Sequence, residues 1–116
     1  MNQRAEQLIK SYVPMSEPGF LLLMSLTSPR HGYGIMQCVQ ELTGGRVSMG
    51  ASTVYTILYK MEQDGLIEVC SEMDRRKVYR ITPLGEEVLA AEAHRVAELA
   101  SLASKMIRRL PLALGS

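Results

Sequence analysis

Residues 49–66, MGASTVYTILYKMEQDGL, constrain the fold more than any other stretch of the chain. Val54, Ile57, Leu58 and Met61 recur at i, i+3, i+4 and i+7, which puts them on one stripe of a 3.6-residue helix and requires that stripe to be buried. Ser52, Thr56, Tyr59 and Gln63 then project from the opposite face, with Thr53, Tyr55 and Lys60 on its flanks. A merely solvated helix face tends to carry Glu–Lys pairs. This one carries hydroxyls, an amide and a phenol, groups that can donate to phosphate oxygens and base edges.

The segments on either side supply the packing partners for that stripe. Ala5, Leu8, Ile9, Tyr12 and Val13 repeat with helical spacing ahead of Pro14, which predicts a first amphipathic helix. Ser16 is a good N-cap, Glu17 and Pro18 suit a first turn, and residues 20–26 are apolar nearly all round, as expected of a central core helix. After the turn SPRHG, residues Ile35, Met36, Val39 and Leu42 mark a third helix that stops at Gly44-Gly45, a pair suited to a left-handed cap and tight turn. Val47 and Met49 are expected in a brief extended segment.

Beyond Asp64-Gly65, residues 66–72 and 77–82 read as two β-branched, partly alternating strands joined by a short turn, Met73-Asp74-Arg75-Arg76. Arg75, Arg76, Lys77 and Arg80 cluster there, and like charges at a hairpin tip repel one another unless a polyanion lies against them. Thr82-Pro83 is a cap followed by Pro at the first helical position, and the helical pattern then runs to Leu110. Within it Leu89, Ala93, Val96, Ala100, Ala103, Ile107 and Leu110 alternate spacings of four and three, and Leu99, Leu102 and Met106 widen the stripe. Such a seam needs a cover, and the same helix or the first helix of a second subunit is the expected one. Leu8, Ile9 and Tyr12 are therefore expected in the dimer interface together with Leu89, Val96, Leu99, Ala100, Ala103, Met106, Ile107 and Leu110.

The order of elements predicts a mainly α fold with a small β-hairpin: a winged helix-turn-helix with an N-terminal helix and a long C-terminal dimerisation helix. Residues 1–14 form the N-terminal brace, 15–82 the winged domain, 83–110 the dimerisation helix and 111–116 a tail. At 116 residues there is room for one such domain.

Composition narrows the class of function. The apolar run FLLLMSL falls between Pro18 and Pro29, well short of the about 18 to 20 residues of a membrane span, and the N-terminus lacks the pattern of a secretory signal. A cytoplasmic protein with no membrane contact is expected. Cys38 and Cys70 lie in apolar-patterned segments, which favours reduced, buried thiols over a disulfide or metal ligands. Thirteen basic residues against 12 acidic ones leave the chain near neutral, so any attraction to nucleic acid must come from local clustering. No Gly-rich phosphate loop, metal-spaced His/Cys/Asp set or paired nucleophile is present, so neither catalysis nor a cofactor or metal is expected.

Three segments carry a resemblance: SPRHGYGIMQCVQELTGG, ASTVYTILYKMEQDGLIE and RRKVYRITPLGEEVL. In this order and spacing they resemble the HGY-helix-Gly pattern, the recognition helix and the wing-and-exit motif of PadR-type transcriptional regulators, and the single C-terminal helix resembles the smaller subgroup of that family. The resemblance implies a homodimeric repressor of double-stranded operator DNA, released by a small aromatic or hydrophobic effector held between the last helices of the two subunits. Some members stack a Trp on that effector, and this chain has no Trp.

The expected DNA contacts follow from both lines. Ser52, Thr53, Tyr55, Thr56, Tyr59 and Lys60 belong to the recognition helix, Lys60 as a phosphate contact. Arg75, Arg76 and Lys77 belong to the wing, and the family pattern adds His31 and Tyr33 as backbone contacts. Two other readings fit the same residues. A winged helix can serve as a protein-interaction module without operator binding, which near-neutral charge suits, and Cys38 with Cys70 would suit a thiol-sensing regulator of another winged-helix family.

Overall fold

A computed structural model describes residues 2–111. Five helices and three strands follow one another as α1 (Gln3–Tyr12), α2 (Glu17–Ser25), β1 (Arg30–His31), α3 (Gly32–Leu42), α4 (Ala51–Gln63), β2 (Ile67–Met73), β3 (Arg76–Ile81) and α5 (Pro83–Arg109). The expected tail falls outside the described residues apart from Pro111. Among the described residues no helix is long and apolar enough to cross a membrane.

Side-chain caps start most of the helices. Asn2 accepts from the Ala5 amide at 2.7 Å, Ser16 from Gly19 at 3.2 Å, His31 from Gly34 at 3.0 Å and Thr82 from Gly85 at 3.0 Å. The double glycine ends α3 as its sequence suggests: Gly44 and Gly45 take φ of +61° and +85°, and the Gly45 amide reaches back to the Gln40 carbonyl at 2.8 Å.

The core joins all three helices of the helix-turn-helix to the sheet. Leu22 and Leu23 of the nearly all-apolar α2 and Leu26 at its C-cap have no exposed surface, and they cluster with Ile35 and Val39 of α3, Val54, Leu58 and Met61 of α4, and Leu66, Ile67 and Tyr79. The stripe that opened the sequence argument is thus buried, with Ile57 half-buried at its edge.

The sheet has three strands in the order β1-β3-β2, all antiparallel. β1 pairs Arg30 with Tyr79 and His31 with Val78. Two residues show no alternation, so this strand has no signature in the sequence, and the segment before α3 was expected only as a turn. The segment expected to be extended at Val47 and Met49 lies outside the strands of the sheet. The Val47 amide donates instead to the Thr43 hydroxyl at 3.1 Å, closing the α3–α4 loop on itself. In the hairpin, Val69 faces Tyr79 and Ser71 faces Val78, so Cys70 is the extra residue of a bulge. Asp74 and Arg75 make the turn with φ of 52° and 64°, the two positive values of a two-residue primed turn.

The start of α5 is fixed by close approach. A Cβ on Gly85 would lie 2.1 Å from the Leu66 carbonyl oxygen and 2.8 Å from Ile81 Cγ1, so only glycine lets the helix settle on the β2 entry. Thr82 completes the joint: its amide bonds Leu66 O at 3.0 Å and its hydroxyl donates to Gly65 O at 2.7 Å. Further along, the carboxylate of Glu92 is buried at 1% exposure, held by both Nε and Nη2 of Arg95 at 2.9 and 2.8 Å and by the Met15 backbone. Arg95 first, and the Met15 hydrogen bond with it, lower its pKa against the opposing pull of burial.

The residues expected at a dimer interface divide between two environments in the protomer. Helix α1 lies against α5 of its own chain. Leu8 is 6% exposed and belongs to the protomer core, while Ile9, Tyr12 and Leu89 pack half-buried against that core. Leu8 therefore has almost no surface to give a second subunit, and the other three have only part of theirs. An apolar stripe in a sequence states that something covers it, and for the first half of α5 the cover is intramolecular. From Ala97 onward every residue of α5 is exposed, including Leu99, Ala100, Leu102, Ala103, Met106 and Ile107, as is Leu110 at its C-cap, whereas Val96 is half-buried.

Candidate nucleic-acid interface

Helix α4 presents two unlike faces because its core stripe fixes its rotation. With Val54, Leu58 and Met61 buried, Ser52, Thr53, Tyr55, Thr56, Tyr59 and Lys60 are all exposed. Tyr59 is the most exposed large hydrophobic residue among the described residues, at 68%. The Thr56 hydroxyl donates to the Ser52 carbonyl at 2.8 Å, which leaves its oxygen lone pairs outward.

The N-terminus of α4 differs from those of the other four helices. Its N-cap is Gly50, with no side-chain cap bond, whereas α1, α2, α3 and α5 each have one. The first-turn amides therefore keep their free donors at the positive end of a 13-residue helix, an arrangement suited to a phosphate. Gly50 is exposed and has open space around its Cβ position, so a phosphate oxygen can approach the backbone.

Tyr55 ties this helix to the start of α3. A Cβ on Gly32 would lie 2.4 Å from the Tyr55 hydroxyl and 2.8 Å from Cζ, so the ring rests on the bare backbone of Gly32. That contact explains the Gly of the HGY motif, and it was not visible in the sequence. Next to it, His31 caps α3 through Nδ1, which as an acceptor must be unprotonated, so the imidazole proton sits on Nε2 and remains available as a donor. The His31 and Tyr33 rings stack with centroids 6.5 Å apart, and Tyr33 is exposed. His31, Tyr33 and Tyr55 thus lie at one junction of α3 and α4.

The wing holds its cations apart from the fold. Arg75, Arg76 and Lys77 are exposed at the tip of the β2–β3 hairpin and make no ion pair among the described residues. Arg80 was grouped with them by sequence and does not belong there. It stands opposite Glu68 in the ladder and pairs with it at 2.7 Å.

Lys60 is likewise less free than expected. Its ammonium lies 3.0 Å from Asp64 Oδ2 and 5.6 Å from the centre of the Tyr12 ring, although the side chain stays mostly exposed. The Tyr12 hydroxyl donates to the same Asp64 oxygen at 2.6 Å, and Arg4 donates to the Asp64 carbonyl at 3.1 Å. The Tyr12 hydrogen bond, chiefly, and Lys60 hold the Asp64 carboxyl below the usual range, while burial and then Asp64 push the Tyr12 phenol up. The brace from α1 to the C-terminus of α4 was missed because its members are 52 residues apart, with no periodic signal linking them.

Comparison with known proteins agrees with this geometry. Residues 21–91 match the family described as transcriptional regulator PadR-like. The chain is 34% identical over 80 residues to an uncharacterized 37.1 kDa protein of transposon TN4556 from Streptomyces fradiae, covering 68% of this chain and 23% of that protein's length. It is 31% identical over 74 residues to uncharacterized protein X of Lysinibacillus sphaericus, covering 60% and 68%. Among solved structures, a PadR family transcription regulator from Clostridium difficile R20291 superposes with a TM-score of 0.68 at 19% identity, over 79% of this chain and 99% of that one. One from Eggerthella lenta gives 0.62 at 24%, over 88% and 87%. At such identities the superpositions speak for the fold.

Proposed function

The chain belongs to the PadR-like family of transcriptional regulators, and we propose that it is a sequence-specific repressor that binds double-stranded operator DNA as a homodimer and is released by a small hydrophobic or aromatic effector. The observation that carries the DNA reading is the outer face of α4, rich in hydroxyls and uncovered, beginning at a helix terminus that no side chain caps. In the proposed complex α4 enters the major groove, with Ser52 and Thr56 at base edges and Thr53, Tyr55, Tyr59 and Lys60 toward phosphates. His31 and Tyr33 lie on the adjoining backbone, and Arg75, Arg76 and Lys77 follow the flanking phosphates.

The homodimer is supported by the distal half of α5. Leu99, Leu102, Met106, Ile107 and Leu110 are between 47% and 62% exposed, on a helix about 40 Å long by its 27 residues. Interleaved Ala100 and Ala103 allow a second α5 to approach closely, and a two-fold pairing repeats α4 for two half-sites. Effector release then requires unequal affinity for the two dimer geometries.

The test is fluorescence anisotropy of labelled DNA from upstream of the chain's own gene, at two salt concentrations, against a random duplex of equal length. Specific binding favoured by about 4 kcal/mol or more over random DNA is expected. Equal, weak and salt-insensitive binding to both would favour the protein-interaction reading.

A further inference from the structure

Along one flank of α4 a cavity of about 290 Å³ lies between that helix, the end of α1 and the start of α2. Its walls are mostly apolar: Tyr12, Pro14 and Met15 from the α1–α2 connection, and Ile57 and Met61 from α4. Gly19 keeps it open. A Cβ there would come within 3.1 Å of Ser16 Oγ and 3.7 and 3.8 Å of the Met15 and Met61 methyls, so two flexible thioethers flank a residue with no side chain. Volume and lining fall near the lower end of the range for small-molecule sites.

The polar groups around it have one sign. The lining residues include Lys60 and no carboxylate; the rest of its polar groups are the hydroxyls of Ser11, Tyr12, Ser16 and Thr56. The nearest carboxylate, Asp64, already receives the Tyr12 hydroxyl and Lys60 and lies in the field of Arg4. Two cations around one carboxylate leave a net positive charge at the mouth. One Lys60 N–H goes to Asp64, which leaves two donors on the ammonium for a second anion.

We propose that this cavity binds an apolar monocarboxylate, with its hydrocarbon against Met15, Ile57 and Met61 and its carboxylate on Lys60. The site lies within one protomer, apart from the space between the last helices where the family resemblance would put an effector. Four of its lining residues, Thr56, Ile57, Lys60 and Met61, belong to α4, and Thr56 and Lys60 are among the proposed DNA contacts, so an occupant acts directly on the DNA-reading helix. As a route of regulation this rests on the proposed DNA binding; as a binding site it does not.

The experiment uses the full chain, without DNA, labelled at its methionine methyls and titrated with octanoate and, separately, octan-1-ol. The expected result is a saturable shift of the Met15 and Met61 signals by octanoate below about 10 mM, with Met106 on distal α5 unmoved. Lys60→Met should weaken octanoate by about threefold to tenfold, a modest factor because the ammonium is largely exposed, and leave octan-1-ol binding unchanged. Ser11→Phe, at an exposed rim position, should block both ligands while preserving the melting temperature. Shifts confined to Met106, an unaltered octanoate affinity in Lys60→Met, or the absence of saturable shifts would each overturn the proposal. Because no DNA is present, such a failure would leave the operator measurement untouched.

Discussion

The outer face of α4 and the distal half of α5 are both uncovered in the protomer, and their chemistry is opposite. On α4 the exposed groups are hydroxyls and phenols that hydration satisfies, so the surface is stable in water and still able to exchange water for DNA. On distal α5 they are Leu, Ile and Met, which water does not satisfy and which gain by meeting a like surface. The contrast separates two tasks along one chain. A polar, uncapped helix suits recognition, whereas an aliphatic seam suits self-association. Both depend on the same joint, where Gly85, Thr82 and Leu66 fix α5 to the winged domain.

Breaking that joint should have the largest effect. Gly85→Ala puts a methyl carbon 2.1 Å from a backbone oxygen, and a loss of about 3 kcal/mol or more in urea unfolding is expected. A loss under about 1 kcal/mol would mean that the helix shifts easily, and that the two surfaces are not rigidly related.

Leu99→Glu together with Ile107→Glu places carboxylates on the aliphatic seam and touches nothing in the protomer core. Sedimentation should give a monomer, and operator affinity should fall by about 100-fold or more as two half-sites cease to be linked. A dimer that persists would move the interface elsewhere.

Glu92 sharpens the boundary between covered and uncovered α5. Its folded pKa lies below its unfolded value, so its contribution to stability is present above the ordinary carboxylate range and is lost as pH falls toward the lowered value. Glu92→Gln should cost about 1 to 2 kcal/mol near neutral pH and flatten the decline of the urea midpoint in acid. An unchanged acid limb would assign that limb to other carboxylates.

The wing gives the smallest effect. Arg75→Ala should weaken operator and random DNA alike and reduce the salt slope by about one phosphate contact. An unchanged slope would exclude the wing from the bound surface.

Much of this arrangement was legible in the sequence, for physical reasons that can be named. The Val54–Met61 stripe, the caps at Ser16 and Thr82 and the Gly44-Gly45 stop are local signals, and local energetics decides those elements. What stayed hidden was non-local. Strand β1 is too short to alternate, the Tyr12–Asp64–Lys60 brace joins distant residues, and the contact of Tyr55 with Gly32 exists only once two helices have docked. Helix α1 shows the same limit in another form: its apolar stripe was plain, but whether its own chain or a second subunit covers it is a matter of tertiary geometry. At the candidate interface, residue type singled out α4, while the pairing of Arg80 with Glu68 and of Lys60 with Asp64 required coordinates.

The most direct test of base reading by α4 compares operator with random duplex for wild type and for Ser52→Ala with Thr56→Ala, by anisotropy at one salt concentration. The expected result is a preference for operator reduced by about tenfold or more, with random-duplex affinity unchanged, because base-edge contacts carry discrimination and phosphate contacts carry the rest. Equal losses on both duplexes, or no loss on either, would contradict it.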